Sequence, residues 1–312
     1  MVKVSAPGMV ILFGEYAVRY GEPALAVAVD LRTTCTALPS RRVLINDAEP
    51  NKKRDAYVLS SIVNGWAHLD RKVAVWASSA LPTAAGMGYS AALCVASVGA
   101  MRALEDAFVP EDIAERAFEA EYGVQDSSIP IDTSASAHGA GVLISMERVD
   151  GYLWTVTKGR DVWHLHHRDV PNTGIVVGDT GIQGSAAAMA SKVGRFVQRN
   201  AFARELVKEI GEIAVDGARA LDKGDVEMAG RLMERNHKLL VTLGAGHPAL
   251  DKLVRAVKPH SYGAKLMSEG GGSIVALTEH PERVAAAIEG AGGTAYVLSP
   301  ADTGVRIDEG RV

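Results

Sequence analysis

Only two cysteines, Cys35 and Cys94, occur in the 312 residues, each within an apolar run. Two cannot build a disulfide framework, so both read as reduced core residues of a cytoplasmic protein. Aromatics are scarce at 5%, while hydrophobic residues total 47%, which predicts a fine-grained aliphatic core and excludes a disordered chain. A basic excess is missing too. The net charge of -4 argues against a nucleic-acid binder. It leaves room for an anionic ligand held by backbone dipoles. No apolar run is long enough to cross a bilayer: 23–29 and 91–103 are too short or too interrupted, which predicts no membrane partner. Met1 leads straight into a patterned segment without a basic leader.

Periodicity predicts short strands at 2–5 and 10–13 around an Ala6-Pro7-Gly8 turn, strands at 24–29 and 33–38, and a polar loop over 46–54. A helix over 57–69 and a strand at 72–78 follow. Then come a Gly-rich turn at 81–88, an Ala-rich helix over 90–106 and a second helix over 111–122. Segments 139–145 and 153–157 read as a hairpin. Composition turns polar near 168–173, which sets a boundary between domains 1–170 and 171–312. The second part reads as strand 174–178, helices over 186–223, 225–243 and 248–258, strand 273–277, helix 281–290 and strand 294–298. The fold class is α+β, with helices on one face of a mostly antiparallel sheet.

The chemistry concentrates in Leu81-Pro82-Thr83-Ala84-Ala85-Gly86-Met87-Gly88-Tyr89-Ser90-Ala91-Ala92. Glycines let a backbone turn sharply and approach a ligand closely. The free N–H groups of the helix that follows make an anion site. Ser90 can offer a hydroxyl to a phosphate or its Mg²⁺. No Gly-Lys-Ser/Thr follows, so this is not a Walker A loop, and the glycine spacing is not that of a dinucleotide fingerprint. An ordinary strand-to-helix turn would carry the same spacing. Two carboxylates stand downstream. Glu121 lies near the end of the second helix, where a solvated helix face is the plain reading. Asp132, on a turn after Pro130, reads as either a catalytic group or a turn cap.

The 81–92 segment resembles the phosphate-binding motif of GHMP kinases (galacto-, homoserine, mevalonate and phosphomevalonate kinases), Pro-x-x-x-Gly-Leu-Gly-Ser-Ser-Ala. Two further stretches resemble the same family at its other motif positions. Ala6-Pro7-Gly8-Met9 through Phe13-Gly14-Glu15-Tyr16 is similar to its first motif, and Gly263-Ala264-Lys265 through Gly270-Gly271-Gly272 to its third. Three motifs in order make the resemblance cover the whole chain, with the archaeal mevalonate kinases as the nearest subgroup.

The resemblance implies a ribosomal-protein-like N-terminal domain, a ferredoxin-like C-terminal domain, and a site between them. It implies ATP and Mg²⁺ as cofactors and a small hydroxy acid, mevalonate first, as acceptor. Gly86, Gly88, Tyr89, Ser90, Ala91, Gly270, Gly271 and Gly272 would hold nucleotide. Ser90 and Glu121 would hold the metal, and Asp132 would orient or deprotonate the acceptor hydroxyl. Glu15, Tyr16 and Ser185 would join Asp132 at the acceptor, and a homodimer is the expected assembly. Phosphomevalonate, homoserine and pantoate are alternative acceptors, and a ligand-binding member without turnover is a further alternative.

The chain departs from the family pattern at five places. Met9 stands for a lysine beside the catalytic Asp, Tyr16 for a His, Tyr89 for a Ser, and Ser268-Glu269 for Gly-Ala. Glu269 would repel triphosphate unless Lys265 or a metal screened it. Three weaker signals remain. His164, His166 and His167 form a metal-like cluster that reads better as an exposed edge strand. Lys52, Lys53 and Arg54 form a basic loop, and Lys192, Arg195, Arg199, His237 and Lys238 are cations on helices of the second half.

Overall fold

The computed structural model describes residues 1–68, 72–126, 128–182, 186–267 and 272–310, with 186 and 187 by backbone alone. Strand β1 (Val2–Phe13) is one strand of 12 residues, not two around a turn. Its partner β2 (Ala24–Ser40) is likewise continuous. The register between them shifts at Pro7/Gly8. Proline lacks a donor, so Ala-Pro-Gly looks like a break in the sequence; here it is a bulge inside the ladder. The bulge matters to the site. A Cβ on Gly8 would lie 2.8 Å from the Met87 carbonyl oxygen, so only glycine lets the Gly-rich turn approach β1 this closely.

The first sheet continues with β3 (Leu44–Ile45), β4 (Lys72–Ser79), β5 (Gly141–Ser145), β6 (Tyr152–Lys158) and β7 (Asp161–Arg168). Strand β5 pairs with β7 rather than with β6, because the tight Gly159-Arg160 turn joins β6 to β7 instead. Strand β7 is therefore interior, not an edge, and His166 is buried within it. Against this sheet pack α2 (Tyr89–Leu104) and α4 (Ile131–His138), and on α2 pack α1 (Ala56–Gly65) and α3 (Pro110–Tyr122). Helix α1 stops at Gly65, four residues short of the sequence expectation, with Trp66 extended. Helix α2 is buried nearly all round, which explains its Ala-rich, weakly amphipathic sequence.

The second sheet holds β8 (Gly174–Asp179), β9 (Gly263–Met267), β10 (Ser273–Thr278) and β11 (Thr294–Leu298), all antiparallel in the order β11-β8-β10-β9. Helices α5 (Ala186–Arg199), α6 (Ala201–Asp222), α7 (Val226–Thr242) and α8 (Pro248–Val257) lie between β8 and β9, and α9 (Pro281–Gly290) joins β10 to β11. This is the ferredoxin-like arrangement. The α5/α6 break falls at Asn200, whose side chain caps α6 by accepting from the Phe202 N–H at 2.9 Å.

The last strand, β12 (Arg306–Glu309), returns to the first sheet and pairs with β1. On the way, Ala301 donates to the Ala28 carbonyl and Val305 to the carbonyl of Ala137. An apolar cluster spans both sheets, with Val10, Leu12, Phe13 and Leu25 from the first half against Ile175, Val177, Ile213 and Val275 from the second. The halves are thus joined by core packing. No described helix is long and apolar enough to cross a membrane.

Candidate active site

The Gly-rich turn is anchored from below by Leu81, Ala85 and Met87, which are buried in the shared cluster. Its glycines Gly86 and Gly88 have φ of 72° and 68°, and Ala84 takes a left-handed φ of 64°. A non-glycine residue there stores backbone strain, as ligand-holding turns often do. Met9 donates its N–H to the Met87 carbonyl at 3.2 Å. A Cβ on Gly88 would lie 2.8 Å from Met9 Cγ. The first bond along α2 is Ala92 N–H to the Gly88 carbonyl at 2.9 Å. The N–H groups of Tyr89, Ser90 and Ala91 therefore have no acceptor within the helix and stand at its positive end. Residues 86 and 88–91 come together as one anion cradle.

Ser90 and Glu121 are also brought together. Ser90 Oγ donates to Glu121 Oε1 at 2.6 Å, and Gln125 Nε2 donates to the same oxygen at 3.1 Å. Glu121 is buried, not on a solvated helix face. Burial pushes its carboxyl up to about 7, while Ser90 and Gln125 pull it back. A buried carboxyl beside a hydroxyl at the end of a phosphate-type turn would hold a hard divalent cation once ionised. Sequence reasoning missed Gln125; its i+4 spacing from Glu121 was the signal.

Asp132 lies in the first turn of α4 rather than on a loop. The sequence hides this helix because six of its eight residues are buried, which erases the amphipathic period. Pro130 caps the start of α4. The helix packs on α2, α3 and β1. Ser136 Oγ on α4 donates to the Pro7 carbonyl at 2.7 Å, fixing it to the bulge in β1.

The two first-motif residues expected at the acceptor, Glu15 and Tyr16, are both buried. Glu15 is 1% exposed, its Oε1 ion-paired with Lys265 and its Oε2 accepting from Asn236 Nδ2 at 3.2 Å. Tyr16, at a φ of 62°, is packed in an apolar cluster with Val176, Val193 and Leu240. The segment after β1 packs into the second half. Lys265 is wholly buried on Glu15, so it cannot screen a triphosphate. Sequence reasoning missed this pairing, since nothing local links positions 250 residues apart.

Ser185, Ser268, Glu269, Gly270 and Gly271 lie outside the described residues. Gly272 is described, and its carbonyl accepts from Thr180 N–H at 2.7 Å. Among the weaker signals, Arg54 is paired to Asp55 at 2.7 Å, and Asn51 Oδ1 accepts from the Lys53 and Arg54 N–H groups, so the basic loop is self-capped. His237 accepts from the Leu266 N–H at 3.1 Å and is structural. Lys192 donates to the Gly244 carbonyl at 2.7 Å. Among the described residues no group of three His, Cys, Asp or Glu side chains could hold a metal. A cavity of about 510 Å³ near Asn172, Tyr262 and Glu279 lies at the far end of the second sheet from Gly272 and contains none of these groups.

This fold and these clustered groups define a two-domain small-molecule kinase. Residues 56–140 match the model of the GHMP kinases N terminal domain, and residues 218–297 that of the GHMP kinases C terminal domain. A mevalonate kinase of Pyrococcus abyssi is 33% identical, covering 100% of this chain and 99% of its own length. One from Thermococcus onnurineus is 34% identical over 99% of this chain and 98% of its own. The crystal structure of L. major mevalonate kinase in complex with R-mevalonate superposes with a TM-score of 0.80 at 22% identity, covering 96% of each chain. The Methanococcus jannaschii mevalonate kinase gives 0.75, covering 96% of this chain and 98% of that one. The chain belongs to the GHMP kinase family.

Proposed function

We propose that the chain transfers the γ-phosphoryl group of ATP to the hydroxyl of mevalonate, yielding 5-phosphomevalonate, at a site between segments 1–170 and 171–312. The observation that carries this reading is the Ser90–Glu121 contact of 2.6 Å at the end of the Gly-rich turn. Full-length similarity to archaeal mevalonate kinases supports the choice of acceptor. Tyr89, Ser90 and Ala91 N–H groups receive the phosphates, with Gly86 and Gly88 giving close approach and the third motif, Gly270-Gly271-Gly272, as further nucleotide-binding residues. Ser90 and Glu121 hold Mg²⁺, which when bound neutralises charge on the phosphates. Asp132, at a helix start, orients the acceptor hydroxyl and takes its proton. Met9 is buried and uncharged, so Asp132 works without a neighbouring cation at that position. Most of the acceleration then comes from positioning and charge stabilisation.

The test is ADP release with ATP and Mg²⁺ across mevalonate, phosphomevalonate, homoserine and pantoate, with Asp132→Asn alongside. Turnover on mevalonate that falls by about 10²- to 10⁴-fold in Asp132→Asn is expected. Turnover on another acceptor alone replaces mevalonate as the substrate. Nucleotide binding with no turnover on any of the four removes the mevalonate assignment in favour of a binding role or another acceptor.

A further inference from the structure

The Glu15–Lys265 ion pair has no place in the proposed chemistry, yet both side chains are 0% exposed. Burial pushes the Glu15 carboxyl up and the Lys265 amine down, and their mutual attraction opposes both shifts. Desolvating two charges is costly, and well-packed neutral residues commonly serve stability as well or better. The surroundings are not arranged to minimise the cost. Asn236 is fully buried beside the pair, and its Oδ1 has no partner among the described residues.

The placement of the pair suggests what it does. Glu15 follows β1, the strand whose Met9 N–H holds the Gly-rich turn through Met87. Lys265 sits in the middle of β9, paired opposite Val275 of β10. The β10 end of that hairpin carries Gly272, tied to Thr180 at the end of β8. Asn236 brings α7 onto the same carboxylate. One buried contact therefore connects the anion cradle of the first half to the hairpin of the second. An ion pair is directional where apolar packing is not, so it fixes register as well as distance.

We propose that Glu15 and Lys265 are positioning residues that set the β9–β10 pair in register with β1, and so align Gly272 with the Gly-rich turn on one nucleotide. The proposal rests on the kinase reading above, and its test separates the two. Glu15→Gln and Lys265→Met each strand a buried charge, and Tm is expected to fall by on the order of 10 °C. The double variant Glu15→Gln/Lys265→Met removes both charges, and most of the Tm loss is expected to return. Its kcat is expected to stay at least about 30-fold down with acceptor KM within about threefold, because alignment of the nucleotide and not ground-state binding of the acceptor is lost. A double variant that regains both Tm and kcat overturns the proposal.

If the double variant does not fold, Asn236→Leu decides. It removes the second hydrogen bond to Glu15 while nearly conserving volume. A kcat fall of about fivefold at unchanged Tm supports positioning, and an unchanged kcat overturns it. If the wild-type chain turns over no acceptor, the acceptor assignment fails by itself. Affinity for ADP with Mg²⁺ then reads the same variants: about tenfold weaker binding in the double variant supports alignment, and unchanged binding overturns it.

Discussion

Ser90 donates its hydroxyl proton to Glu121 at 2.6 Å, so the residue at the anion cradle is already engaged by a carboxyl that burial holds at about 7. The folded chain therefore favours the protonated form of Glu121, whose ordinary value is 4.5. The resulting stability is full below about pH 4.5 and is lost as pH rises toward 7, by roughly 3 kcal/mol at complete ionisation. A divalent cation at the site reverses this by favouring the carboxylate. Thermal unfolding from pH 5 to 8 should show Mg²⁺ stabilising more at pH 8 than at pH 5. In Glu121→Gln both the alkaline loss and the Mg²⁺ effect should vanish. A Mg²⁺ effect that survives the substitution places the metal elsewhere.

Gly88 meets two demands at once, a φ of 68° and a close approach to Met9. Gly88→Ala should cost about 1–3 kcal/mol and weaken nucleotide binding, because the cradle must shift away from β1. Adding Met9→Ala removes the clash but not the backbone strain. The pair should therefore recover part of the binding loss and no more. Full recovery would mean that the clash alone matters, and none would mean that the strain does.

Arg32 links the returning C-terminal segment to the first sheet. Its guanidinium donates to Ser5 Oγ at 2.9 Å, to the Ser5 and Thr303 carbonyls at 3.0 Å, and to the Gly304 carbonyl at 2.6 Å. The next residue, Val305, donates to the Ala137 carbonyl near the end of the helix that carries Asp132. Arg32→Met strands several half-buried carbonyls and should cost about 2–4 kcal/mol. Hydrogen exchange at the end of α4 and along residues 301–309 should rise together. Faster exchange in the tail with α4 unchanged would show that the tail does not support the helix.

The parts of the site that depend on backbone chemistry were legible before any coordinates. Gly86, Gly88 and Ser90 announce themselves because only certain residues can turn a chain onto an anion. The Ser90–Glu121 contact needed the family resemblance to be paired, and the fold then brought it together. Several strands were split or missed because their pairing partners lie far off in the chain or because a glycine or proline interrupts the pattern. Pro7 and Gly8 mimic a turn where the chain has a bulge, β9 hides inside a glycine motif, and β12 makes sense only as a partner of β1 some 300 residues earlier. Glu15 meets Lys265 and Asn236, a contact that no local pattern encodes.

His138, at the far end of the Asp132 helix, responds to pH in the opposite sense from Glu121. Burial, and after it His167, holds His138 at about 4, below its ordinary 6.5. His138 Nε2 lies 2.9 Å from His167 Nδ1, which leads through Nε2 to Asp169 at 3.2 Å. The stability due to a neutral His138 is present above pH 6.5 and is lost as pH falls toward 4. Glu121 gains stability over much of the same interval, so in the metal-free wild type the two trends offset each other between about pH 4.5 and 6.5. Separate variants should uncover them. His138→Phe keeps a ring against Trp154 and removes the titration, so its Tm should climb steadily as pH falls from 7 to 5. Glu121→Gln leaves only the histidine, so its Tm should drop over that range. If both variants keep the wild-type profile, neither group titrates in this interval and some other ionisation sets the acid behaviour of the fold.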